Sequence, residues 1–198
     1  MKRYYYLDRI QDFGVLWPVL LSSTSQELAQ TEVFISTEVQ ARDPQVKTRL
    51  LEKGIAYQAA PSAWKRFLKP GLLVPGSEFI TASESNAKPH RRTHAWVQYA
   101  IMQKLHTITY QHGFENIGLT YSDSEFPCEQ IRFESKEIRV WVCEKLLHKN
   151  ISPETRKKIR FISRPFIQLF PDTSTETSKP IISVFENLHW SRYDDQYR

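Results

Sequence analysis

The clearest hydrophobic pattern lies at residues 93–112, where Val97, Ile101, Leu105 and Ile108 recur at spacings of four, four and three. That is the period of one buried helical face, so the spacing predicts an amphipathic helix over this stretch. Gly113 stands where a left-handed C-cap residue is expected, with Phe114 folding back on the last turn. Residues 116–121 alternate, with Ile117, Leu119 and Tyr121 against Asn116, Gly118 and Thr120, as a half-buried strand does. Residues 130–134 and 137–143 repeat the alternation about Ser135 and Lys136, which predicts a hairpin.

Beyond it, a helical stretch falls within residues 144–162, with Ser152 and Pro153 as N-cap and first-turn pair. Residues 165–170 and 180–185 read as strands around a polar linker at 172–179, and the chain from Ser191 reads as a frayed end. Upstream, the aromatic run at 3–10 suits a strand. The apolar cluster at 15–21 is broken by Pro18 and reads as irregular or edge structure. Residues 22–25 offer an N-cap for a short helix. Residues 31–39 fit strand or helix. Asp43 and Pro44 start a helix that buries Val46, Leu50 and Leu51 and ends at Gly54. Between residues 60 and 75, Trp64, Lys65, Arg66 and Lys69 read as a snorkelling helix end or a nucleic-acid patch. Residues 78–82 form another strand.

From residue 93 the predicted order is helix, strand, strand, helix, strand. A preceding strand, from residues 4–10 or 78–82, completes the split βαβ pattern of a ferredoxin-like α+β domain. The expected organisation is an additional N-terminal segment, 1–75, and a ferredoxin-like RNA-binding domain, 76–198.

Composition narrows the function. Lys and Arg outnumber Asp and Glu 27 to 22, an excess that permits a polyanion partner without requiring one. Cys128 and Cys143 have neither a disulfide framework nor zinc spacing, which argues against secreted and metal-site classes. With no apolar leader and no run near the roughly 18 apolar residues of a membrane span, the expectation is a cytoplasmic protein without a membrane partner. Six glycines and no glycine-rich loop or nucleophile elbow disfavour nucleotide-loop and hydrolase readings. His90, His94, His112, His148 and His189 lack ligand spacing and read as ordinary polar residues.

Lys104-Leu105-His106, a short interval, and Asn116-Ile117-Gly118-Leu119-Thr120-Tyr121 form the most distinctive constellation. Together with residues 1–6, 131–140 and 145–149, it resembles the type I-F CRISPR repeat-processing endoribonuclease family, over about residues 93–150. The resemblance implies metal-independent cleavage of a CRISPR repeat hairpin, without a cofactor. His106 would be the general base that helps deprotonate the 2'-hydroxyl, which then attacks the phosphate and leaves a cyclic product. One residue, roughly 100°, from Leu105 on the predicted helix, His106 sits at the edge of the core stripe. The bland alternative is a surface helix histidine. The basic runs Arg156, Lys157, Lys158 and Arg160, then Arg164, Arg91 and Arg92, are the candidate RNA contacts. The expected partners are CRISPR repeat RNA or guide RNA and other subunits of a surveillance complex. A non-catalytic RNA-binding or bridging subunit is the alternative. A second alternative is a metal-dependent nuclease using Asp123, Glu134 and Lys136 around a magnesium ion, against the plain reading of a charged hairpin.

Overall fold

A computed structural model describes residues 1–62 and 71–163. Seven strands form one sheet in the order β3-β2-β1-β4-β5-β6-β7. They are β1 Arg3–Leu7, β2 Thr31–Ile35, β3 Ala56–Ala59, β4 Glu78–Ala82, β5 His106–Tyr110, β6 Glu137–Val140 and β7 Ile159–Phe161. All six pairings are parallel, so the fold is α/β. A ferredoxin-like sheet is antiparallel, with its second and third strands joined as a hairpin, and the described residues do not form one. Both candidate first strands exist and pair with each other, so one sheet holds strands from either side of residue 75.

β1 leads into α1, Ile10–Leu21, and a single turn, α2, Ser25–Leu28, precedes β2. Helices α3, Thr37–Arg42, and α4, Gln45–Glu52, connect β2 to β3. Helix α5, Arg91–Met102, connects β4 to β5, and α6, Pro153–Lys158, precedes β7. On one face Phe13, Leu16, Leu20, Val39, Val46 and Leu50 pack on Tyr5, Leu7, Val33, Ile35 and Ile80. On the other, Trp96, Val97 and Ala100 of α5 pack on Tyr4, Tyr6, Phe34 and Phe79. The winding therefore reverses between β1 and β4, as in a doubly wound sheet, whose crevice opens outside the carboxyl ends of those two strands.

Where elements depart from the sequence reading, the reasons are local. The helix expected over 93–112 stops at Met102. Lys104 adopts φ 63, its N–H bonds Ile101 O at 2.9 Å, and Leu105 N–H bonds Ala100 O at 3.0 Å. This is a Schellman end with lysine where glycine is usual. Ile108 belongs to β5 and shares the helical period by coincidence, and Gly113 caps nothing. Residues 116–121 form a tight turn rather than a strand, with the N–H groups of Leu119, Thr120 and Tyr121 all bonding Asn116 O. Gly118, at φ 81, has no room for a side chain there: a Cβ would lie 2.2 Å from Ile131 Cγ2. Residues 130–134 stay outside the sheet, and no hairpin forms at Ser135 and Lys136.

Pro18 lies inside α1, and the carbonyl it leaves unbonded belongs to exposed Gly14, where water can serve it. Residues 31–39 divide at Ser36, whose Oγ accepts from Val39 N–H at 3.2 Å and caps α3. Pro44 and Gly54, at φ 65, bound α4 as expected, but Leu51 is exposed. Residues 144–162 hold a 3-10 turn, Glu144–Leu146, then α6 capped by Ser152, then β7. The expectations at 165–170, 172–179 and 180–185, and those for Trp64, Lys65, Arg66, Lys69, Arg164, His189 and the end from Ser191, lie outside the described residues. Among the described residues, no helix is long and apolar enough to cross a membrane.

Candidate ligand site at the carboxyl edge of the sheet

The exit of β1 builds the first wall of the crevice. Asp12, in the first turn of α1, folds back so that Oδ2 accepts from the N–H groups of Asp8 and Arg9, each at 2.9 Å. Its Oδ1 accepts from Ser83 Oγ at 2.9 Å, which ties β1 to the end of β4. Burial pushes the Asp12 carboxyl up to about 7, against the lowering effect of these donors. A carboxyl group thus occupies the start of α1, where glycine-rich dinucleotide folds place a phosphate. Asp8 is buried, and burial raises its pKa too. Its Oδ1 accepts from Tyr6 OH at 2.8 Å and pairs with Arg92 Nε at 3.2 Å. Its Oδ2 has no partner among the described residues. Arg92 also bonds Glu38 of α3.

The exits of β4 and β5 build the other wall. Ser83 turns away from β4 at φ 56, a left-handed conformation uncommon for serine and frequent at ligand sites. Buried Glu84 accepts from Glu134 N–H at 3.1 Å and pairs with His94 Nδ1 at 2.7 Å. Ser85 Oγ lies 2.6 Å from His90 Nδ1, and the His90 ring meets His112 edge-on at 5.6 Å between centroids. Burial pushes His90 down to about 3, helped by the neighbouring His112, Arg9 and His94. Burial and then Arg9 hold His112 at about 4. Both imidazoles are therefore neutral near pH 7. Arg9 itself donates to Pro89 O, just before α5.

The residues singled out from sequence are scattered. His106 opens β5 at the amino edge of the sheet, the opposite end from the crevice, exposed and 3.7 Å from Glu137. It is not on a helix. Arg156 pairs with Glu144 at 3.4 Å, and Lys157 is exposed. Lys158 Nζ donates to Phe133 O at 2.6 Å, and Arg160 Nη1 donates to the carbonyls of Lys157 and Ile159 at 3.2 and 3.0 Å. Arg91 and Arg92 sit together in the first turn of α5, at the crevice. Asp123 accepts from Tyr121 OH at 2.5 Å and Phe126 N–H at 2.7 Å within its own loop. Among the described residues, no three His, Cys, Asp or Glu side chains gather as a metal site.

Asp8, Asp12, Ser83 and Glu84 carry no signal of their own in the sequence, and His90 and His112 read there as ordinary polar residues, because the crevice joins three strand exits far apart in the chain. One signal was legible: polar runs, Asp8 to Asp12 and Ser83 to Asn86, directly follow two strands. Compared with protein families, curated proteins and solved structures, the chain matches none.

Proposed function

We propose that this chain binds a small polyhydroxylated ligand, such as a sugar or the ribose of a nucleotide, at the carboxyl edge of β1, β4 and β5. One observation carries the reading. Among the described residues the buried polar side-chain atoms without a partner are Asp8 Oδ2, Thr93 Oγ1 and Asn116 Oδ1, and all three lie on segments leaving those strands. Buried polar atoms ordinarily find partners, and doubly wound sheets bind ligands at this edge. Two of the three atoms are acceptors, which suits hydroxyl donors. The test is calorimetric titration with D-ribose and D-glucose, using wild type and Asp8→Asn. Binding that weakens about tenfold in the variant supports the reading. Absence of binding, or equal affinity in the variant, removes it.

A second reading, metal-independent cleavage of repeat RNA, is supported by a narrower observation. Exposed His106 beside Glu137 shares a sheet face with Arg139 and Arg160, whose registers align. Labelled repeat RNA incubated in EDTA tests it. A normal rate of cleavage by His106→Ala would sink the base assignment.

A further inference from the structure

We propose that the start of α5 holds an anionic group, a phosphate monoester, carried by the polyhydroxylated ligand; the inference rests on the carboxyl-edge reading above. Helix α5 runs for 12 residues and its N-terminal end faces the crevice. A 3-10 turn, Lys88–His90, leads directly into this end; no side chain caps the helix, its first turn has no acidic residue, and Arg91 and Arg92 occupy that turn. Cations there oppose the helix dipole, whose positive end favours a negative charge. The Asp8 and Glu38 carboxylates on Arg92 offset part of that opposition, and an anion beside Arg91 would offset the rest.

The neighbouring charges agree. Arg92 is already engaged by Asp8 and Glu38. Arg91, Lys88 and Arg9 form no ion pair among the described residues, and Arg9 reaches the same helix end through Pro89 O. A second, independent observation is Thr93 Oγ1, in the same first turn, fully buried and without a partner. A helical threonine can bond a carbonyl of the preceding turn, and this one does not. Its hydroxyl is a donor available to a phosphate oxygen. Asp8 Oδ2, joined to α5 through Arg92, remains the acceptor for a hydroxyl of the same ligand. One molecule with both groups is a phosphorylated sugar.

The experiment compares D-ribose, D-ribose 5-phosphate, inorganic phosphate and a repeat-RNA hairpin by calorimetry on the full chain, for wild type and Lys88→Ala/Arg91→Ala. Both residues are exposed, so the double variant keeps its packing. The expected result is that ribose 5-phosphate binds at least tenfold tighter than ribose, that inorganic phosphate competes with it, and that the preference falls toward one in the double variant. Ribose binding with no gain from the phosphate overturns the anion site and leaves the carboxyl-edge reading standing. No binding of either sugar overturns both. If only the hairpin binds, and the double variant loses it, the anion is an RNA backbone phosphate and the small-ligand assignment is overturned.

Discussion

Arg92 Nε lies 3.2 Å from Asp8 Oδ1, so the first turn of α5 is pinned to the exit of β1. The same guanidinium reaches Glu38, which brings α3 into the contact. Three elements that meet nowhere else in sequence are thus held by one planar fork.

Replacing Arg92 with alanine leaves a carboxylate that is 1 % exposed without its cation. Arg92 itself is half exposed, which limits the loss to about 1–2 kcal/mol. Lysine, a point charge, cannot hold both carboxylates and should recover less than half of it. Urea denaturation measures this, and a midpoint equal to wild type in Arg92→Ala would refute the pin.

Two glycines should respond in opposite directions. Gly118→Ala forces a Cβ against Ile131 at a positive φ, and a loss of about 2 kcal/mol or more is expected. Gly14→Ala, inside α1 with nothing within 4 Å, should gain roughly 0.5–1 kcal/mol. Thermal unfolding of the two variants decides the sign of each.

Lys104 closes α5 in the conformation that favours glycine. Lys104→Gly should therefore raise stability by about 0.5–1 kcal/mol, since the relief of Cβ crowding outweighs the added freedom of the unfolded chain. A lower melting temperature in the variant would show that lysine is not strained there.

Acid stability has opposing contributions. His90 and His112, held near 3 and 4 in the folded chain, lie below the unfolded value of about 6.5. Their contribution is complete above that value and is lost as pH falls through about 4 for His112 and about 3 for His90, because the unfolded chain takes up protons that the folded one refuses. Asp12, at about 7, lies above its unfolded value of about 3.9. Its contribution is complete below about 3.9 and is lost as pH rises through 7. Between roughly pH 4 and 6.5 the two effects oppose each other. Asp12→Asn, which can keep the bonds to Arg9 and Ser83, should steepen the acid loss by about 1.4 kcal/mol per pH unit. Parallel stability curves for variant and wild type would exclude the raised carboxyl.

Much of the fold was legible where a local signal was also the deciding one. The aromatic run of β1, the Pro44 start and Gly54 end of α4, and the Ser152 cap of α6 all behave as their chemistry suggests. The α5–β5 boundary was not, because Ile108 continues the helical period of Val97, Ile101 and Leu105 while lysine, not glycine, makes the stop. Strand direction was not legible either, since the β5–β6 connection is mostly irregular and holds a single 3-10 turn, Cys128–Gln130, in place of a crossover α-helix. At the candidate site, Arg91 and Arg92 stand out in the sequence by their charge. Their neighbours Asp8 and Asp12 belong to a different strand exit, and only the sheet order brings them together.

The position of β1 bears on how the chain leaves the ribosome. β1 is made before β2, which can cover one of its edges soon after, but its other neighbour is β4. Until residues 78–82 are made, the nascent β1 carries a bare row of backbone donors and acceptors flanked by Tyr4, Tyr5 and Tyr6, the kind of edge that recruits other chains. A fragment halted after β3 would be a self-associating species, and safe passage through that interval calls for fast elongation or a chaperone at the tunnel exit.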